Sequence, residues 1–178
     1  MISGKFKSRR LIGIPPAGIR PTSDKLKETL FNILGSKVEG ATFLDGYAGM
    51  GGIGIEAISR GAARVYFVDQ SRKACQIIRE NLRSLQVEEG FEILQMDFVK
   101  ALRLFQTPFD IAFWDPPYER EDLYHSSLER FGNSALLSPE GILVVEHSKR
   151  TETPEAAGNL RKIRSLVQGD AALAFYTA

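Results

Sequence analysis

The chain has one cysteine in 178 residues, Cys75, and two histidines, His125 and His147. A single thiol closes no internal disulfide, and with two imidazoles it completes no four-ligand structural zinc site. Neither a metal nor an oxidising compartment is therefore expected; Cys75 reads as a small buried hydrophobe of a reduced, cytoplasmic protein. No 20-residue stretch is free of charge, so a membrane span is not expected. The first ten residues carry basic side chains with no apolar segment behind them, unlike a secretory signal. Low-complexity segments and internal repeats are missing too. What remains is a globular composition, 43% hydrophobic and 25% charged, at the size of one domain.

The net charge of +1 hides an uneven distribution. Residues 1–29 carry Lys5, Lys7, Arg9, Arg10, Arg20, Lys25 and Lys27 against Asp24 and Glu28, a local +5, while the other 149 residues hold 16 basic and 20 acidic groups. Such a segment suits a polyanion, because each neutralised phosphate releases counterions; a solvated, solubilising tail would have the same composition. Residues 1–35 are read as a basic arm followed by a helix. The arm is expected to be an extended ribbon broken at Pro15-Pro16 and Gly18. Thr22 or Ser23 should cap the helix, with Leu26, Leu30, Ile33 and Leu34 as its apolar stripe, Lys25 and Lys27 off that stripe, and Gly35 ending it.

From Ala41 short apolar runs alternate with amphipathic stretches. The runs are 42–45, 65–69, 93–97, 111–115 and 142–146; helices are expected near 53–60, 71–85, 98–105 and 123–131. Non-alternating strands separated by helices predict an α/β fold, a mostly parallel sheet covered on both faces. Residues 160–167 and 171–176 read as a C-terminal antiparallel hairpin around Gly169-Asp170. Each of the five runs ends in an acid: Asp45, Asp69, Asp97, Asp115 and Glu146. In an open α/β sheet those ends line the ligand crevice, so the row favours a cationic or donor-rich ligand; helix capping accounts for one or two of them.

Between the first strand and its helix lies Asp45-Gly-Tyr47-Ala48-Gly49-Met-Gly51-Gly-Ile-Gly54, with Asp69 twenty residues past Gly49. This matches the dinucleotide fingerprint, making an NAD site a competitor. Asp45, however, would repel a pyrophosphate docked on the helix N-terminus, and the length leaves little room for a separate substrate domain. The loop suits S-adenosylmethionine instead, which has no phosphate and carries a sulfonium. Glycines allow close backbone approach to its methionine part. Asp69, with Gln70 beside it, is placed for the ribose hydroxyls, and Asp97 with the backbone of Phe98 for the adenine edge.

Asp115-Pro116-Pro117-Tyr118 stops the fourth strand and stiffens the loop beyond it. The Asp115 carboxylate and the Pro116 carbonyl can both accept from one planar NH2 group while the Tyr118 ring stacks on its heterocycle. Holding such a poor nucleophile against a methyl sulfonium supplies much of a methyl transfer. The same tetrapeptide serves the N6 amine of adenine, and a catalytically silent RNA-binding module would keep the fold. His125 and His147 follow the catalytic loop and the fifth strand, so both can face the crevice; Trp114 reads as core.

Taken together, Gly4-Lys-Phe-Lys, Arg20-Pro-Thr-Ser-Asp-Lys-Leu-Lys-Glu-Thr-Leu-Phe-Asn32, Asp45 to Gly61, Asp115-Pro-Pro-Tyr118 and Val144-Val-Glu146 give a chain that resembles, along nearly its whole length, the bacterial 16S ribosomal RNA guanine-N2 methyltransferases. The resemblance implies one class I, Rossmann-like methyltransferase domain over 1–178. S-adenosyl-L-methionine would be the donor, and a guanine amine of 16S rRNA, free or in an assembling small subunit, the acceptor. By position it assigns the cofactor to Asp45, Gly49, Gly51, Asp69 and Asp97, and the base to Asp115–Tyr118. Lys5, Lys7, Arg9, Arg10 and Arg20 are the candidate RNA contacts, and a monomer is the default expectation. Met50, Gly46, Ser8, Gln168 and Ala171 depart from the family's usual residues.

Overall fold

A computed structural model describes residues 1–12 and 23–178. Eight strands form one sheet: β1 (Thr42–Gly46), β2 (Arg64–Asp69), β3 (Phe91–Gln95), β4 (Phe109–Trp114), β5 (Leu137–Ser148), β6 (Ala156–Ala157), β7 (Leu160–Gln168) and β8 (Ala171–Thr177), in the order β3-β2-β1-β4-β5-β8-β7-β6. The first five pair in parallel, and β5–β8, β8–β7 and β7–β6 are antiparallel. The expected C-terminal hairpin is β7–β8, but its later strand lies inside, against β5.

Consecutive apolar residues in each parallel strand serve opposite layers. Phe43, Phe67, Phe113 and Val144 point to α1 (Asp24–Leu34), α2 (Gly52–Ser59) and α3 (Arg72–Ser84). Leu44, Val68, Trp114 and Val145 point to α4 (Phe98–Ala101) and α5 (Glu121–Gly132). All eight are at most 2% exposed, and burying each large side chain is worth roughly 1.5–3 kcal/mol. That double demand explains why the strands do not alternate. The α3 stripe Ala74, Ile78, Leu82 and Leu85 is buried as expected, as is Cys75. Ser23 caps α1 by accepting from the Leu26 N–H, and Gly35 closes it.

Four expectations need correction. The arm is not extended in its first half: Gly4–Phe6 is a 3-10 turn that buries Phe6 against the core. Lys27 is not off the buried face; it is 7% exposed. The helix after Asp97 ends at Ala101 rather than Phe105, since Arg103 and Leu104 close as turns on Lys100 and Ala101. And β5 begins at Leu137, because its pairing with β4 jumps from Phe109–Leu137 to Ile111–Ile142, a bulge that accommodates Pro139.

Candidate active site

Strand order reverses between β1 and β4, whose C-terminal ends therefore diverge and leave a crevice. A cavity of about 480 Å³ occupies it, lined from β1 and the following loop by Asp45, Tyr47, Ala48, Gly49, Met50 and Gly52, from the end of β4 by Phe113 and Asp115, from α1 by Asp24 and Lys27, and from the arm by Met1, Arg10 and Leu11. A second pocket of about 90 Å³ is lined by Val68, Asp69, Gln70, Asp97, Phe98, Arg120 and Leu123. Tyr47 lines both, its hydroxyl bonded to Ser127 at 2.9 Å and its backbone left-handed at φ 53. An open groove of about 630 Å³ between α3 and the edge strand β3 is larger but contains none of the strand-end acids.

The glycine loop is shaped by those acids. Asp45 accepts from the Gly54 N–H at 2.8 Å, inside the first turn of α2. Asp69 accepts from Gly49 N–H with one oxygen and Ser71 N–H with the other, both at 2.8 Å. Each carboxylate oxygen keeps a second acceptor direction, so a ribose remains within Asp69's capacity. Gly54 is demanded by proximity: a Cβ there would lie 2.3 Å from the Phe67 ring and 2.9 Å from Asp45. Gly46, a family departure, is explained the same way, since a Cβ would meet the Phe98 ring at 2.4 Å. The Phe98 ring in turn packs at a tilt between Tyr47 and Trp114, which leaves its backbone for a ligand edge.

Burial holds the Asp45 carboxyl well above the ordinary carboxylate range; Gly54's N–H offsets part of this and the charge of Asp69 adds to it. Burial also raises Asp69, against the hydrogen bonds from Ser71 and Gly49. A cation entering the cavity beside Asp45 would favour its charged form.

Asp97 lies two residues beyond β3 and caps α4, accepting from the Lys100 N–H at 2.9 Å. Asp115 directly follows β4 and is half-buried. Past the two prolines, the Tyr118 hydroxyl donates to Glu146 at 3.0 Å, and Glu146, inside β5 rather than at its end, is 4% exposed. The Asp-Pro-Pro-Tyr loop is thus tied to the next strand through its aromatic. His147 points to the other layer: Tyr124 packs edge-on to it and its Nδ1 lies 2.8 Å from the Ser148 carbonyl oxygen. His125 is exposed beside Tyr124. Neither histidine lines the 480 Å³ cavity.

Of the basic arm residues, Lys5, Lys7, Arg9 and Arg10 are exposed; Arg10 lines the cavity and Arg9 donates to the Ser84 carbonyl at the end of α3. Arg20 lies outside the described residues. Three further residues go unmarked in the sequence. Glu56, fully buried on α2, accepts from the Ile2 and Ser3 N–H groups at 2.9 Å and from Arg60 at 2.8 Å. Asn81, also fully buried, accepts from the Ile12 N–H and donates to the Met50 carbonyl, joining arm to loop. Lys27 lines the cavity. The one signal in the sequence is a polar residue on an otherwise apolar helix face, at Asn81 between Ile78 and Leu82. Among the described residues no cluster of His, Cys, Asp and Glu could hold a metal, and no helix is long and apolar enough to cross a membrane.

A family model described as "Conserved hypothetical protein 95" matches residues 1–177. The chain is 36% identical to the Bacillus subtilis protein YlbH, over 99% of this chain and 97% of that one. It is 31% identical to the ribosomal RNA small subunit methyltransferase D of Escherichia coli, over 99% of this chain and 88% of that one. The solved structure of the Escherichia coli methyltransferase homologue yhhF superposes with a TM-score of 0.85 at 31% identity, covering 99% of this chain and 96% of that chain.

Proposed function

We propose, for a chain that belongs to the conserved hypothetical protein 95 family, the family of the small-subunit ribosomal RNA methyltransferases, that it methylates the exocyclic N2 amine of a guanine in 16S ribosomal RNA with S-adenosylmethionine as donor. The observation that carries the reading is that Asp115 opens into the same cavity as the Asp45–Gly52 loop. An amine acceptor and a cofactor loop thereby share one enclosure. The site fits the donor: two acids with raised carboxyl pKa for a cationic ligand, a glycine loop for close approach, and a second pocket past Tyr47 with Asp69 and Asp97 for hydroxyls and a base edge.

When bound, S-adenosylmethionine supplies an electrophilic methyl on a positively charged sulfur. The rest falls to this chain's side chains. Asp115 and the Pro116 carbonyl accept from the target NH2 and orient its lone pair; Pro117 keeps those two acceptors from diverging; Tyr118, anchored through Glu146, stacks on the base. Proton loss from the amine follows methyl transfer, so Asp115 needs no unusual basicity beforehand. Tyr47, Ala48, Gly49 and Gly51 shape the amino-acid side of the cleft; Asp69, Gln70, Asp97 and Phe98 bind the nucleoside side. A buried guanine amine must leave its stack, which favours a loop nucleotide or a flipped one. Lys5, Lys7, Arg9, Arg10 and Arg20 engage the backbone of rRNA or of the assembling subunit. Action on the ribosome would put the protein in the cytoplasm, and a monomer is the default expectation.

Methyl transfer from radiolabelled S-adenosylmethionine to small subunits lacking the modification, followed by nucleoside analysis, tests this. N2-methylguanosine is expected. Label in N6-methyladenosine would change the acceptor and keep the donor; binding of RNA and cofactor without transfer would make the chain a silent module.

A further inference from the structure

A buried ammonium group faces the donor cavity from α1. Lys27 is 7% exposed, and its Nζ pairs at 3.1 Å with Asp24, whose side chain is 88% exposed. An ion pair with so exposed a partner contributes little, so it does not explain why a lysine occupies a buried position. Nor is Lys27 needed as the counter-ion of Asp45, whose carboxylate accepts from the Gly54 N–H. Among the described residues the cavity has three cationic groups, the Met1 ammonium, Arg10 and Lys27. Met1 spends its ammonium on the Arg9 carbonyl, and Arg10 is exposed at the arm, open to a polyanion outside the cleft. Among the described residues Lys27 is the one buried cation that lines the cavity, and Asp45 is a buried acid that lines it too. The ligand complementary to a buried cation and a buried acid in one cavity is a zwitterion.

We propose that Lys27 binds the α-carboxylate of the donor's amino-acid end, exchanging its weak partner Asp24 for a ligand anion. The inference rests on the donor assigned above and adds a residue to it. Asp24, also on the cavity wall, then serves as a placeholder that keeps the ammonium paired when no ligand is bound. Lys25, two positions before Lys27 on α1, is exposed and does not line the cavity.

The test is calorimetric and needs no turnover. S-adenosylhomocysteine retains the amino-acid carboxylate; 5′-methylthioadenosine shares its nucleoside and sulfur but lacks the amino acid. Both are titrated into the wild type and into Lys27→Met, whose unbranched side chain preserves the packing of the lysine stem. The expected result is a loss of about 10- to 100-fold in affinity for S-adenosylhomocysteine, with 5′-methylthioadenosine unchanged. Lys27→Arg should recover most of the loss. Equal weakening of both ligands would make Lys27 a merely structural residue and overturn the proposal, as would no change in either. A loss of RNA affinity with both ligands unaffected would reassign the cation to phosphate. If the wild type bound neither ligand, the donor itself would be wrong and the inference would fall with it. The melting temperature of Lys27→Met is expected to match the wild type within a few degrees.

Discussion

The arm and the glycine loop meet on the same short helix, and both are held by carboxylates that accept from backbone N–H groups. The roles are reversed between them. For the loop, the acids Asp45 and Asp69 belong to strands, and the N–H groups they hold are those of Gly49 in the loop and of Gly54 in the first turn of α2 that the loop enters. For the arm, the acid Glu56 belongs to the helix and the N–H groups of Ile2 and Ser3 belong to the segment being docked. In each case the more rigid element supplies the side chain and the held segment supplies only main chain. The difference lies in what the acid faces. Asp45 lines the 480 Å³ cavity, whereas Glu56 is fully buried and serves docking. A strand-end acid is therefore scaffold that also reaches the cavity and, on the function proposed, the ligand; a helix acid of the same chemistry is scaffold alone.

The strongest way to separate the two regions is to remove the chemistry and leave both in place. Asp115→Ala is expected to lower methyl transfer on the order of 10³-fold while S-adenosylhomocysteine binding and protease resistance of the arm stay at wild-type levels. Single-turnover transfer with limited proteolysis reads both; a variant that also frees the arm would show that Asp115 holds structure beyond its own loop.

Next in size, Glu56→Ala leaves two arm N–H groups and Arg60 without their acceptor. Because the acid is buried, the cost is about 2–4 kcal/mol in urea unfolding. Faster hydrogen exchange at Ile2, Ser3 and Phe6 should accompany it, with the amides of Gly49 and Gly54 still protected. Faster exchange in the loop as well would mean that Asn81, which bonds both Ile12 and Met50, makes arm and loop one unit. The converse break is Gly54→Ala. Its Cβ would collide with Phe67, pushing α2 off β2 at roughly 1–3 kcal/mol and weakening donor affinity through the displaced loop.

These two regions also differ in how far they could be read from residues alone. The loop was legible because its constraints are local and typed: glycines where a Cβ would clash, acids at strand ends, prolines that stop β4. The doubly wound sheet was legible for the same reason, since strands buried on both faces lose their alternation. The arm was not. What fixes it is Phe6 in the core and main-chain bonds to Glu56 and Ser59, partners more than fifty residues away that leave no mark on the arm's own sequence. Its sequence is dominated by charge, and charge is the part that stays in water. Lys27 is hidden for a related reason: a lysine beside a leucine stripe reads as solvated, and this one belongs to the buried face. Gly46 shows the reverse, a departure from the family pattern that becomes intelligible only with the ring of Phe98 against it.

The smallest expected effect separates the two regions by pH. His147 sits beneath the Asp-Pro-Pro-Tyr loop, sharing a small cavity with Pro116, Pro117 and Tyr118, and its Nε2 has no partner among the described residues. Burial lowers its pKa, the Ser148 carbonyl offsets part of this, and the charge of Lys162 adds to the lowering. The unfolded chain, with a histidine pKa of about 6.5, therefore binds the proton more readily than the folded one. Stability is at its full value above that pH and falls as pH drops through it toward the lower folded value. Asp45 and Asp69, whose carboxyls are raised by burial, act with the opposite sign: the folded state binds their protons more readily, so they favour it as acid is added. The two contributions separate by difference. Urea midpoints of the wild type at pH 7.5 and 5.5 should fall further apart than those of His147→Gln, which cannot titrate, and exchange should quicken in the Tyr118 loop before it does in the arm. An equal pH response in the two proteins would mean that His147 gains a solvent partner as it charges, and that the strand-end side of the site is no more sensitive to protons than the side built by the arm.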